Sequence, residues 1–288
     1  MAVCGRFAPT PSGRIHLGNI LCAMLSWLSV RSKQGKYLLR IEDLDAMRCP
    51  RSLADQIEED LQWFGIDWDD GGSAGGESWY QSSRTAIYDR YFDVLRDKGL
   101  LYPCFCSRAE LHTAQAPHRS DGTYIYAGTC RNLTPEQIAE KSKRRPPAWR
   151  VRVPDRVVSF TDGCQGVYTE NLAQDCGDFI IRRSDGVYGY QLAVVVDDGE
   201  MGVTEVVRGS DLLNSTPRQM YLYEQLGFSV PAFYHMPLLT APDGRRLSKR
   251  DGDLDLGVLR KKFGRPEPIV GMLAKAAGLR PTAQPVAL

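Results

Sequence analysis

The chain has 288 residues, 43% of them hydrophobic and 25% charged, which is enough to bury a sizeable core in one or two domains. Its formal net charge is only +1, so no general polyanion affinity is implied and any nucleic-acid contact must come from a local basic face. No apolar run reaches the roughly 20 residues of a membrane span and no basic segment with an apolar signal core opens the chain, so a cytoplasmic protein with no membrane partner is expected.

A strand over Val3–Ala8 runs into Arg6-Phe7-Ala8-Pro9-Thr10-Pro11-Ser12-Gly13-Arg14-Ile15-His16-Leu17-Gly18-Asn19. The prolines stiffen a turn and Ser12-Gly13 permits a bend. Apolar residues at Ile20, Leu21, Met24, Leu25 and Leu28 then predict a helix that begins close to His16–Asn19. A strand over Tyr37–Ile41 follows, then a helix through Leu53, Ile57, Leu61 and Phe64 for which Ser52 can serve as cap, and a third helix around Ile87, Tyr91 and Leu95 that ends at Gly99. From about Leu100 to Tyr188 the pattern breaks into cysteines, prolines, the basic cluster 141–145 and short strands such as Trp149–Val153, with Thr134-Pro135 reading as a helix cap and first-turn proline. The strand–helix rhythm resumes with Tyr190–Val196, Gly202–Arg208, a helix opened by Thr216-Pro217, and Met236–Thr240. Leu254, Val258 and Leu259 carry a helical pattern before a loose Pro/Ala-rich end. This alternation predicts an α/β protein with a doubly wound parallel sheet, whose ligands sit beyond the carboxyl ends of the strands.

The chemistry concentrates at those ends. A helix start offers unpaired N–H groups and a partial positive charge, which suits a phosphate, and Gly18 keeps the backbone open to it. His16 can donate to a phosphate oxygen, although a histidine at a helix start can equally serve as a cap. Glu42, between Arg40 and Asp43, can offer a carboxylate to an ammonium group or remain a solvated strand-end charge. Arg208 follows the apolar strand Val203–Val207, so its head is expected at a cleft rim, where its planar fork can grip a carboxylate. Far along the chain, Arg246-Leu247-Ser248-Lys249-Arg250 follows the turn Asp243-Gly244 as a basic loop with a hydroxyl.

The His16-Leu17-Gly18-Asn19 and Arg246–Arg250 pair resembles the HIGH-type and KMSKS-type signatures of class I aminoacyl-tRNA synthetases. The Arg-x-Ala-Pro-x-Pro-x-Gly lead-in, Arg40-Ile41-Glu42-Asp43-Leu44-Asp45 and Val195-Val196-Asp197-Asp198 narrow the likeness to the glutamyl group. That resemblance implies a catalytic pair of His16 and Lys249. It implies a glutamate site of Arg6, Phe7, Ala8, Pro9, Thr10, Glu42, Tyr190 and Arg208, with Glu42 on the amino group and Tyr190 and Arg208 on the carboxylates. It also implies an ATP site of His16, Gly18, Asn19, Arg246, Leu247, Ser248, Lys249 and Arg250, with Mg2+ accompanying ATP. Asn19 stands where the motif ends in histidine, Arg246 where lysine is common and Arg250 where serine is common; no needed charge is lost.

The eight cysteines stand at 4, 22, 49, 104, 106, 130, 164 and 176, in a chain too large to need disulfide staples, so reduced thiols with one metal cluster are expected. Cys104, Cys106 and Cys130 are the candidate thiolates for tetrahedral zinc, and a histidine, His112 or His118, is the fourth ligand that chemistry favours. The short glutamyl-queuosine members of the family resemble this stretch in a Cys-x-Cys and Tyr-x-x-x-Cys arrangement, which implies Tyr126 as fourth ligand of a structural site. The likeness divides the chain into 1–99, the first half of a nucleotide-binding catalytic domain; 100–188, an insertion with the zinc site; 189–250, the second half; and 251–288, a short helical extension with no anticodon-binding domain. It thereby implies a monomer that activates glutamate with ATP and transfers it to the queuosine base in the anticodon of tRNA(Asp). The alternatives are a truncated glutamyl-tRNA synthetase charging a tRNA 3′ end, or an inactive paralogue binding tRNA or a partner, against which intact His16, Glu42 and Lys249 count.

Overall fold

The structure is a computed structural model that describes residues 2–107, 110, 125–239 and 256–288. Along the chain run β1 (Cys4–Phe7), α1 (Leu17–Ser32), β2 (Lys36–Leu39), α2 (Arg51–Trp63), β3 (Asp70–Gly71), α3 (Thr85–Asp97) and β4 (Leu101–Cys104). Then come α4 (Pro135–Ser142), β5 (Ala148–Val151), β6 (Val157–Asp162), β7 (Gly166–Asn171), β8 (Phe179–Arg182) and α5 (Tyr190–Glu200). The remaining elements are β9 (Glu205–Gly209), α6 (Thr216–Leu226), β10 (Ala232–Met236), α7 (Leu256–Phe263) and α8 (Glu267–Ala276). They pack as two compact units, one of Met1–Ser83, Val203–Leu212 and Pro231–Leu288, the other of Arg84–Gly202 and Leu213–Val230.

The first unit is built on a five-stranded, wholly parallel sheet in the order β10-β9-β1-β2-β3. The chain moves outward from β1 in both directions, so the strand order reverses there, and a switch of that kind opens a crevice at the carboxyl ends of the strands. Gly5 sets the approach of α1 to β1, because a Cβ at that position would come within 2.4 Å of Val30 Cγ2. The apolar stripe predicted for α1 is the buried one, with Ile20, Leu21 and Met24 in a core that also takes Phe7 from β1, Leu61 from α2 and Ile269 from α8. Helix α2 starts earlier than its sequence suggests. Pro50, extended at φ −65° and ψ 147°, is the residue before the first turn, and Ser52 lies inside the helix and does not cap it. The strand expected at Met236–Thr240 lies at Ala232–Met236; residues 237–239 are coil, and Thr240, like Leu254, is outside the described residues.

The second unit holds a three-stranded antiparallel sheet, β4-β5-β8, and the hairpin β6-β7. Thr134 caps α4 as predicted: its side chain accepts from Gln137 N–H while the Gln137 side chain accepts from Thr134 N–H. The stretch Tyr190–Val196, which in sequence reopens the strand rhythm, is helical. Residues Leu192–Asp198 are buried on every side, so the run shows no polar face and its β-branched valines mimic a core strand. Burial of its acidic end is satisfied locally, for Asp197 accepts from Arg84 Nε at 2.7 Å and from Tyr88 Oη at 2.9 Å. Among the described residues no helix is long and apolar enough to cross a membrane.

Candidate active site and metal centre

His16 precedes the first turn of α1 in extended geometry, and both ends of the residue are held. Gly18 N–H donates to His16 Nδ1 at 3.1 Å, and His16 N–H donates to Asn19 Oδ1 at 3.1 Å. An Nδ1 that accepts leaves the proton of the neutral ring on Nε2, so the cap presets the tautomer whose far nitrogen is a donor. Gly18 makes room for the folded-back ring: a Cβ there would meet His16 Cε1 at 2.9 Å. The His-x-Gly-Asn spacing is therefore one device, in which each residue fixes the next.

The lead-in is laced to the end of β2. Phe7 O accepts from Arg40 N–H at 3.1 Å and Pro9 O from Glu42 N–H at 2.9 Å. Phe7 and Pro9 are buried, Ala8 is half-buried and Thr10 is exposed. Glu42 is not a solvated strand-end charge: it is 8% exposed, and Arg40, fully buried, donates to its Oε1 at 3.0 Å. Its neighbour Asp43 accepts from both the backbone and the hydroxyl of Ser82, which ties down the segment that carries Glu42.

Arg208 departs from its predicted place at a rim. It lies within β9, is 4% exposed, and donates through Nε to His235 Nε2 at 2.9 Å. Arg6, 5% exposed, stands on the adjacent strand β1. Both reach Cys22 electrostatically. Burial pushes that thiol up to about 11, Arg6 opposes the rise, Asp211 adds to it and Arg208 again opposes it. Two buried guanidiniums and one carboxylate thus act on the same small region of the first unit. Tyr190, half-buried, opens α5 in the other unit. Arg246, Leu247, Ser248, Lys249 and Arg250 lie outside the described residues.

Cys104, Cys106 and Cys130 converge, with their three sulfurs within 4.8 Å of one another. Cys106 Sγ lies 3.6 Å from Cys130 Sγ, and Tyr126 Oη lies 3.5 Å from Cys104 Sγ and 3.6 Å from Cys106 Sγ. A tetrahedron with Zn–S bonds of ~2.3 Å and a Zn–O bond of ~2.0 Å has edges of about 3.8 Å between sulfurs and about 3.5 Å from sulfur to oxygen, close to these three separations. Cys130 N–H also donates to Tyr126 Oη at 2.8 Å. His112 and His118 are outside the described residues. Arg150, absent from the sequence reading, completes the surroundings: its Nε donates to Cys104 Sγ at 3.3 Å and its guanidinium lies 3.7 Å from the centre of the Tyr126 ring. Burial would raise the Cys104 thiol, but hydrogen bonds from Tyr126 and Arg150 hold it below its ordinary value, whereas burial and the neighbouring sulfurs push Cys106 up to about 12. Arg150 and His235 gave no sequence signal, since each is a lone polar residue in a strand whose partner is brought near only by the fold.

Residues 2–281 match the family described as tRNA synthetases class I (E and Q), catalytic domain. The chain belongs to this family. The α/β architecture with a parallel sheet is the class I catalytic fold. A glutamyl-Q tRNA(Asp) synthetase from Symbiobacterium thermophilum is 49% identical over 290 residues, covering 99% of this chain and 89% of the relative. Another, from Nitratidesulfovibrio vulgaris, is 50% identical over 281 residues, covering 96% and 87%. Among solved structures, a glutamate tRNA ligase from Elizabethkingia meningosepticum in complex with its amino acid superposes with TM-score 0.82 at 30% identity; the match covers 95% of this chain and 60% of that longer one. A methionyl-tRNA synthetase from Mycobacterium tuberculosis shares the fold at TM-score 0.55 and 13% identity.

Proposed function

We propose that the chain activates glutamate with ATP to glutamyl-adenylate and transfers the glutamyl group to the queuosine base in the anticodon of tRNA(Asp). The observation that carries the first step is the pair of buried guanidiniums, Arg6 and Arg208, beside the strand ends that lead to His16 and Glu42. The second step is supported by relatives of nearly the same length at 49% and 50% identity that bear that name.

In this reading Arg6, Phe7, Ala8, Pro9, Thr10, Glu42, Tyr190 and Arg208 hold glutamate, with Glu42 on the ammonium and Arg208 on a carboxylate. His16, Gly18, Asn19 and Arg246 through Arg250 hold ATP, which binds with Mg2+. The substrate's α-carboxylate, already ionised, attacks the α-phosphate; a P–O bond forms, the bond to the leaving pyrophosphate breaks, and no side-chain base is needed. His16 Nε2–H and the Lys249 ammonium meet the charge that builds on the phosphoryl oxygens, so they stabilise the transition state above the ground state. A nucleophilic group of the queuosine base then attacks the glutamyl carbonyl and AMP departs.

Cys104, Cys106, Tyr126 and Cys130 hold a structural zinc, and Arg150 offsets the negative charge that three thiolates leave on such a centre. The catalytic domain is formed by residues 1–99 and 189–250, the insertion by 100–188 and a helical extension by 251–288. The protein acts as a cytoplasmic monomer. The test is glutamate-dependent ATP–pyrophosphate exchange in the free protein, followed by nuclease mapping of labelled glutamate on tRNA(Asp). Label at the queuosine nucleotide is expected. Label at the 3′ end would identify a truncated glutamyl-tRNA synthetase, and failure of exchange would leave a tRNA-binding paralogue.

A further inference from the structure

Strands β9 and β10 run parallel with His235 directly beside Arg208 in register. His235 is fully buried. Arginine can only donate, so the 2.9 Å bond from Arg208 Nε requires a lone pair on His235 Nε2 and hence a neutral ring with its proton on Nδ1. Phe233 completes the frame. Its ring stacks on that of His235 at 5.9 Å with an interplanar angle of 18°, and the Arg208 guanidinium lies 5.1 Å from its centre. Leu212 O accepts from Arg208 Nη2 at 3.4 Å. One ring therefore fixes the edge of the guanidinium and the other its face.

The choice of acceptor has a chemical consequence. A carboxylate at the position of His235 would orient the guanidinium equally well, but it would also add a negative charge that competes with any anionic ligand. Neutral imidazole orients without that opposing charge.

We propose that His235 is a positioning residue for amino-acid selection: its neutral Nε2 holds Arg208 in the orientation that grips the substrate's carboxylate and so separates glutamate from glutamine. This rests on the reading of Arg208 as a glutamate ligand. The experiment is pyrophosphate exchange with the full chain, measuring KM for glutamate and for ATP and the glutamate-to-glutamine ratio of kcat/KM. His235→Met removes the acceptor at similar volume and is expected to raise the glutamate KM and narrow the ratio by about ten- to hundredfold while the ATP KM stays within about twofold. His235→Gln places an amide oxygen at the reach of Nε2 and restores both quantities to within about threefold of the parent. Equal rises in the two KM values, an unchanged ratio in His235→Met, or a Gln variant no better than Met would overturn the proposal. Histidine nitrogen NMR on the unmodified protein tests the tautomer whether or not the variants fold; a protonated Nε2 at His235 would also overturn it. Arg208→Ala separates the two claims. If that substitution leaves the ratio intact, the reading of Arg208 fails; if it collapses the ratio and His235→Met does not, only the role of His235 falls.

Discussion

At His16 one imidazole carries two tasks on two nitrogens, and substitution can divide them. His16→Asn keeps an acceptor for Gly18 N–H but loses the distal donor, so adenylate formation should slow by roughly 10²–10³ with little change in melting temperature. His16→Ala should lose the same rate and about 1 kcal/mol of stability besides, because the cap goes too. An Asn variant with unimpaired pyrophosphate exchange would reduce the histidine to a cap. Lys249→Ala should match the rate loss and leave glutamate affinity unchanged, which a glutamate titration of exchange would measure. His16, Glu42 and Arg208 stand out in the sequence as candidates because they belong to recognisable motifs or follow apolar strands. Their burial was not legible there. A charged residue next to an apolar strand looks the same whether water or a second buried charge completes it, as Arg40 completes Glu42. His235 and Arg150 stayed hidden because each depends on a neighbouring strand for its meaning.

Helix α2 contributes a clamp between elements distant in the chain. Asp60, fully buried, accepts from Arg14 Nε at 3.1 Å and Nη2 at 2.7 Å, and from Arg260 of α7 at 2.6 Å. It joins the turn before His16 to the first helix after residues 240–255. The two arginines are 26% and 30% exposed at their side chains, so water recovers part of their hydrogen bonding when the carboxylate is removed. Asp60→Ala should therefore cost about 1.5–3 kcal/mol, less than loss of a partner to a wholly buried charge. Urea unfolding checks this, and a shift below about 0.5 kcal/mol would show that the clamp holds nothing. Element assignment from sequence succeeded where one face was polar, as in α2, α3 and α4. It failed for α5, whose every face is covered, and it slipped along the chain at β10, where Met236–Thr240 continues the apolar run past the end of the strand.

For the molecule as a whole, the metal centre proposed at Cys104, Cys106, Tyr126 and Cys130 is the feature with the largest expected effect on stability. Protein purified without chelator should carry one zinc per chain, and stripping it should lower the melting temperature by about 10 °C, since a ligand bound far above its dissociation constant contributes several kcal/mol. Absence of zinc on elemental analysis would dismiss the centre; full retention in Tyr126→Phe would transfer the fourth position to a histidine. Alternating strands and helices made the parallel α/β class legible, but the order β10-β9-β1-β2-β3 was not, because pairing between strands some 200 residues apart, as Gly5 with Glu205, leaves no local trace. That same pairing governs how the chain can fold during synthesis. Strand β1 receives β2 early, but its other edge waits for β9, and the shared core waits longer still for Met236 and Ile269. At ~5–20 residues per second, the ribosome spends on the order of ten seconds between Ser83 and Glu205. Throughout that interval the first 83 residues present an unpaired central strand edge and an open apolar face, while residues 84–202 of the other unit emerge. Nascent chains arrested near residue 200 should be cut by protease within the N-terminal segment and bind trigger-type chaperones there, and full-length chains released from the ribosome should resist both.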